Sequence, residues 1–294
     1  MLEQLRYVRL PVDDLAVAAR YAMDVLGLEP IDRTETIATF RSDFRDHTLV
    51  LVKEARAEQA IGLEVRYPTD LDAARFSLRK LGVVAESGTP EECAQRKCRT
   101  MLWFRDFSGN RIELVVRPLN SGWRYFPSRD AGVTGLQDVM LRSTDVERDL
   151  SIWRGALGTT VTDYAGDAAY LAFDGAHHRV ALFPATRAGI LAVEYGVENV
   201  NLLMRNHYVA QNLQIGILHG PGRRPASDQL FLTLAGPTDV MFGFVAEGAS
   251  RDPERRPRQY PAGAEGLCSW GSECRIPEFG GSADGRDARR AASA

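Results

Sequence analysis

The chain has 294 residues, 45% of them hydrophobic and 26% charged, with a net charge of −3. Those proportions describe a soluble globular protein of one large or two ordinary domains, and the small charge gives no broad field to attract nucleic acid or anionic lipid. No apolar run approaches the roughly 18 residues of a spanning helix, and MLEQLRYVRLPVDD lacks the charged-then-apolar order of a signal peptide, so a cytoplasmic protein without membrane contact is expected.

The first predicted strand, residues 6–11, leads into a predicted helix over 12–28, with Asp14 at its start as cap and Gly27 ending it. A β-rich run, His47-Thr-Leu-Val-Leu, follows. A second unit reads as a strand over 62–67, a helix over 70–81, and a hairpin of 100–106 and 111–116 turning on Ser108-Gly109-Asn110. The pattern then starts again: a strand over 138–142, a helix over 143–158, and His178-Arg-Val-Ala-Leu. A strand over 190–197, a helix over 200–213 and a hairpin of 228–234 and 240–244 complete it.

Self-similarity decides the architecture. Asp14 and Asp145, Leu26 and Leu157, Gly27 and Gly158, and His47 and His178 all recur at a spacing of 131 residues. The expected fold is α+β: four βαβββ modules forming two tandem open β-barrel domains, residues 1–118 and 134–247, joined by a linker over 119–133. Residues 248–279 read as an extended Pro- and Arg-rich tail, and 280–294, with almost nothing to bury, as disordered. Cys93, Cys98, Cys268 and Cys274 read as reduced thiols, with a zinc quartet as the alternative.

The paired modules, DFSGNRIELV (106–115), GAHHRVAL (175–182), GPGRRP (220–225) and RPRQ (256–259), in this order, resemble the two-domain extradiol ring-cleavage dioxygenases of the vicinal oxygen chelate superfamily. The resemblance covers residues 2–261. It implies that the C-terminal barrel holds Fe(II) or Mn(II) through two His and one Glu, leaving open positions for a catechol and O2. Carried over residue by residue, those ligand positions fall on Asp138, Ala192 and Gly243. No His occurs in 132–142 or 186–200, so a slip of register restores neither imidazole. A family Tyr falls on Thr233 and a family His on Arg224, whereas His178 matches the family's acid–base histidine beyond the metal.

The expectation is therefore a family relative without a metal cofactor, whose C-terminal barrel binds an aromatic or phenolic small molecule. Asp138 and Glu194, two residues beyond Ala192 and on its face, join His178 as acid–base candidates. His177, Thr233 and Arg224, on a loop placed at the barrel rim, are candidates for ligand contact. His219 shows no clustering that suggests chemistry. Alternatives stay open. One is a metal-independent isomerase, lyase or hydrolase acting on a phenolic or dicarbonyl substrate through these residues. Another is ring cleavage with an unusual ligand set, such as a displaced carboxylate-rich metal site. The resemblance also allows a homo-oligomer, or a hetero-oligomer with an active relative.

Overall fold

The computed structural model describes residues 1–54, 57–271 and 274–280. Its first half runs β1 (Leu2–Pro11), α1 (Leu15–Arg20), β2 (Glu29–Arg33), β3 (Ile37–Arg41) and β4 (Leu49–Val52). It continues with β5 (Ala60–Val65), α2 (Pro68–Lys80), β6 (Ala85–Ser87), α3 (Pro90–Gln95), β7 (Thr100–Arg105) and β8 (Arg111–Val116). The second half repeats this with β9 (Val133–Ser143), α4 (Val146–Gly155), β10 (Thr160–Ala165), β11 (Ala168–Ala172) and β12 (Val180–Pro184). Then come β13 (Gly189–Val197), α5 (Val200–Asn212), β14 (Ile217–Arg223), β15 (Leu230–Leu234) and β16 (Met241–Ala246), with β17 (Arg258–Tyr260) and α6 (Ala264–Leu267) after them.

These strands make two mixed sheets of tandem βαβββ modules. The eight-stranded sheet has the order β2-β3-β4-β1-β5-β8-β7-β6, and the nine-stranded sheet β14-β15-β16-β13-β9-β12-β11-β10-β17. In each, the first strands of two modules pair antiparallel at the centre, and each is flanked in parallel by the last strand of its own module. Alternation sorts side chains between the two faces. Val139, Leu141, Val193 and Tyr195 join the main core, while Met140, Ala192, Met241 and Phe183 pack inside the second barrel.

Local chemistry explains the repeated helix start. Asp14 accepts from the backbone N–H groups of Ala16 (2.9 Å) and Val17 (3.0 Å), and Asp145 accepts from that of Arg148 at 3.1 Å. The helix predicted over 12–28 is shorter, because residues up to Asp14 belong to the approach and the cap. It finishes in a π turn, Tyr21–Val25, whose wider winding carries Tyr21, Ala22 and Val25 into the core. Gly27 has φ +76°, and an added Cβ would lie 2.8 Å from Arg129 O, so glycine is required on two counts.

The SerGlyAsn turn bridges the halves. Asn110 donates to Arg142 O (2.9 Å) and accepts from Gly189 N–H (2.7 Å), while Ser108 Oγ donates to the buried Asp149. The strand predicted over 138–142 extends back to Val133, because β13 continues to pair with it through Val197. The segment after Arg251 does more than lie over the surface. Asp163 anchors it through Arg255 (2.7 Å), β17 adds to β10, and Ile276 and Phe279 are buried against the second barrel. Of the disorder expected at 280–294, residues 281–294 lie outside the described residues, and Gly280 ends the short helical turn Pro277–Gly280. No helix among the described residues is long and apolar enough to cross a membrane.

Candidate functional site in the second barrel

Lateral pairing places five residues in one inward-facing row. Asp138 pairs with Glu194, Glu194 with Gly243, Gly243 with Thr233, and Thr233 with His219. Neighbours in register share a face of the sheet, so all five converge on the barrel interior. His219 was not singled out by the sequence reading. Its isolation in the chain hides a position that exists only once β14 pairs with β15.

The centre of the row is an ion pair. Arg224 grips Glu194 with both arms, Nη1 to Oε2 at 2.6 Å and Nη2 to Oε1 at 2.5 Å. Arg224 thus lies inside the barrel and not at the exposed rim the sequence suggested, because Glu194 draws its guanidinium inward. Its charge also rests over the Phe231 ring, 4.8 Å from the centroid. Burial opposes the charge on Arg224, but Glu194 outweighs it and raises the pKa. The Glu194 carboxylate covers Gly243: a Cβ there would stand 3.1 Å from Glu194 Oε1 and 2.9 Å from Leu232 O.

Asp138 is fully buried beside this pair, and Gln229 Nε2 lies 3.4 Å from its Oδ2. Burial, and then the neighbouring Glu194 charge, push the Asp138 carboxyl far above the ordinary carboxylate range. His178 Nε2 lies 3.7 Å from Asp138 Oδ2. Burial, then His177, lower the His178 pKa well below that of free imidazole. His178 Nδ1 meets His177 Nδ1 at 3.1 Å, and His177 Nε2 meets Asp163 Oδ2 at 2.8 Å. Asp163 is buried in its turn and holds Arg255. His177 and His178 are therefore consecutive members of one chain of contacts, Asp163–His177–His178–Asp138, and His177 spends its outer nitrogen on Asp163.

Among the described residues, three buried polar atoms of this interior have no hydrogen-bond partner, His178 Nε2, His219 Nδ1 and Thr233 Oγ1, while the Asp138 carboxyl is hydrogen-bonded to Glu194. Aromatic rings surround them. Tyr170 meets His178 edge-on at 4.9 Å, Phe231 meets His219 at 4.6 Å, and Phe279 from the C-terminal segment packs on Phe183 at 4.9 Å. A cavity of about 60 Å³ lies between Phe183, Phe279 and Leu267.

At the three positions carried over from the family, only Asp138 has a donor atom. Ala192 packs between Met140 and Met241, Gly243 has no side chain, and Glu194 is committed to Arg224. Among the described residues, no three of His, Cys, Asp and Glu are grouped to hold a metal ion. The cysteine quartet does not assemble: Cys93 and Cys98 pack in the first half near Met101, and Cys274 in the second near Ile276.

The first half answers differently at the same row. Tyr7, Gly62 and Glu113 are in register. Glu113 accepts from Tyr7 Oη (2.6 Å), from Arg96 through Nε (3.0 Å) and Nη2 (2.7 Å), and from Arg111 (2.9 Å). Burial works against the Glu113 charge, but these donors overcome it and lower its pKa. Both barrels therefore enclose a guanidinium-clamped carboxylate. In the first it rises from the last strand opposite a glycine. In the second it rises from the middle strand and the glycine is on the last.

Comparison with known proteins agrees with this architecture. The model of the "Glyoxalase/Bleomycin resistance protein/Dioxygenase superfamily" matches residues 4–114. An iron-dependent extradiol dioxygenase of Rhodococcus jostii (strain RHA1) is 27% identical over 226 residues, covering 67% of this chain and 73% of that protein. Metapyrocatechase 2 of Cupriavidus necator is 23% identical over 305 residues, covering 95% and 91%. The crystal structure of a halotolerant catechol dioxygenase superposes with a TM-score of 0.86 at 19% identity, covering 96% of this chain and 98% of that one.

Proposed function

Since the chain belongs to the glyoxalase/bleomycin resistance protein/dioxygenase superfamily and is similar to its extradiol dioxygenases, we propose that it binds a small phenolic compound in the second barrel without iron-dependent ring cleavage. The observation that carries this reading is the Glu194–Arg224 pair lying over Gly243. A ligand set of two imidazoles and a carboxylate finds one carboxyl there, and that carboxyl is pushed toward its neutral form. The residues present do not fit the family's metal. They do fit a phenol. Tyr170, Phe231 and Phe183 supply apolar and edge contacts, and His178 Nε2 and Thr233 Oγ1 are groups without a partner among the described residues that a hydroxyl can engage.

Anaerobically purified protein, loaded with ferrous ion and desalted, tests the reading through metal content, oxygen uptake with catechol, and calorimetric titration with phenol in the absence of metal. Substoichiometric iron, no oxygen uptake and saturable phenol binding are expected. Stoichiometric iron with catechol-dependent oxygen consumption would instead establish ring cleavage with an unusual ligand set.

The chain of contacts Asp163–His177–His178–Asp138 favours a second reading, metal-independent proton transfer on a phenolic or dicarbonyl substrate. An Asp138 carboxyl held neutral can donate a proton, and a neutral His178 imidazole 3.7 Å away can accept one. Turnover of any such substrate that survives unchanged in His178→Ala removes this reading.

A further inference from the structure

In the first barrel, one row outward from Tyr7–Gly62–Glu113, Arg9, Ala60, Arg111 and Arg105 stand in register and face inward. The corresponding row of the second barrel is Met140, Ala192 and Met241, packed as apolar core. The architecture therefore does not call for charge at this level. Three guanidiniums of the first barrel are matched. Arg105 holds Glu58 at 2.6 and 2.7 Å, Arg111 holds Glu92 at 2.7 Å, and Arg96 holds Glu113.

Arg9 is the exception. It is only 8% exposed, yet it has no carboxylate partner among the described residues. Its hydrogen bond is a long contact of 3.4 Å to Gln95 Oε1, an oxygen that Arg96 already engages at 3.0 Å. A buried charge left in this state is costly unless something pairs with it. Arg9 opens onto a cavity of about 350 Å³ that Arg96, Arg105 and Arg111 also line. Glu58, Glu92 and Glu54 line it too, but the first two are ion-paired, and Glu54 acts on Arg9 by its charge without forming an ion pair.

We propose that this cavity is a binding site for a small organic carboxylate, held by the forked guanidinium of Arg9. Glu58, Glu92 and Glu113 are engaged by Arg105, Arg111 and Arg96, so Arg9 is the guanidinium left without an ion-pair partner, with the charge of Glu54 acting on it from the cavity edge. The planar fork of Arg9 matches the two oxygens of a carboxylate. Ala57 and Ala60 give the wall small apolar surfaces beside the organic part. Glu54, exposed at the cavity edge, competes for the same guanidinium and weakens the site.

Calorimetric titration of the full chain with benzoate, with uncharged benzamide and with inorganic phosphate is the test, repeated on Arg9→Gln and Glu54→Gln. Benzoate binds the wild type and benzamide does not. Affinity for benzoate falls about ten-fold or more in Arg9→Gln, the loss expected for a charge-assisted pair. It rises in Glu54→Gln, an exposed change that spares the fold. Benzamide binding as tightly as benzoate, equal benzoate affinity in Arg9→Gln, or phosphate outcompeting benzoate overturns the assignment. Should Arg9→Gln not fold, benzoate binding no tighter in Glu54→Gln overturns it as well. Phenol binding in the second barrel is independent of all these variants.

Discussion

Glu194 and Gly243 are lateral partners on parallel strands, and the carboxylate of the first occupies the space over the second. At the matching place in the first barrel, Gly62 and Glu113 hold the opposite assignment, with the Tyr7 ring over the glycine. In each barrel an arginine from outside the row clamps one carboxylate of it, and in the second barrel Asp138 shares the row with a carboxyl pushed toward its neutral form. The carboxylate nearest Gly243 is thus committed to a guanidinium in both the charge it carries and the space it fills.

The Glu194–Arg224 pair is fully buried, so removing one partner should be far worse than removing both. Arg224→Met alone is expected to destabilise the protein by about 3–5 kcal/mol, because it strands a buried carboxylate. The double change Glu194→Leu with Arg224→Met should recover most of that loss. Urea unfolding of the two singles and the double gives the coupling energy. Additive losses across the cycle would contradict the paired arrangement.

Asp138 sets a pH dependence of unusual sign for a carboxyl. Its pKa is raised in the folded state, so between the unfolded value near 4 and the folded value the native chain holds the extra proton. Its contribution is fully present below the unfolded pKa and is lost as pH rises through the folded one. Asp138→Asn mimics the protonated form. The variant should match the wild type near pH 4 and gain on it by about 1.4 kcal/mol per pH unit above that, until the folded pKa is reached. A stability difference that stays flat from pH 4 to 8 would show that Asp138 is ionised in the fold. His178 and His219, both lowered by burial and the latter to about 4, act in the same window with the other sign. Their contribution is present above pH 6.5 and is lost as pH falls toward the folded values. The comparison with Asp138→Asn at each pH cancels this common background.

Phe279 closes the aromatic side of the second barrel by packing on Phe183 and lying 6.1 Å from the His219 ring. Phe279→Ala should join the cavity of about 60 Å³ to the barrel interior. Two effects are expected together: a stability loss of about 3–5 kcal/mol from the vacated ring, and tighter phenol binding. Titration calorimetry beside urea unfolding reads both. Weaker phenol binding in the variant would mean that Phe279 forms a wall of the site and does not occupy it.

Much of this was legible in the sequence, for a definite reason. The spacing of 131 residues between Asp14 and Asp145 and between Gly27 and Gly158 fixes the same local cap and turn chemistry twice, and local chemistry is what a sequence displays. Ala192 and Glu194 share a face because strand alternation depends only on parity, whereas Asp138 lies beside Glu194 through a strand pairing that the family resemblance, and not parity, implied. The pairing of Arg224 with Glu194 escaped because the two are thirty residues apart and only the barrel brings them together. His219 escaped for a similar reason, since strand pairing alone aligns it with Thr233. The buried end of the tail was hidden by its surroundings: Ile276 and Phe279 are two apolar residues in a Pro-, Gly- and Arg-rich stretch whose average reads as surface.

The glycines of the two rows make a sharp stability test of how closely each row is filled. A Cβ on Gly62 would sit 2.3 Å from the Tyr7 ring, which cannot move without giving up its 2.6 Å hydrogen bond to Glu113. A Cβ on Gly243 meets Leu232 O at 2.9 Å and the Glu194 side chain at 3.1 Å, and only the latter can yield. Gly62→Ala is therefore expected to cost at least the ~1–3 kcal/mol of an overpacked core, and Tyr7→Ala should relieve most of the clash while adding its own cavity. Gly243→Ala should cost a similar amount, with only partial relief from Glu194→Ala, because a backbone carbonyl remains in the way. Melting temperatures of the four single variants and the two doubles measure this, and tolerance of either glycine change without loss would show that the row has spare room.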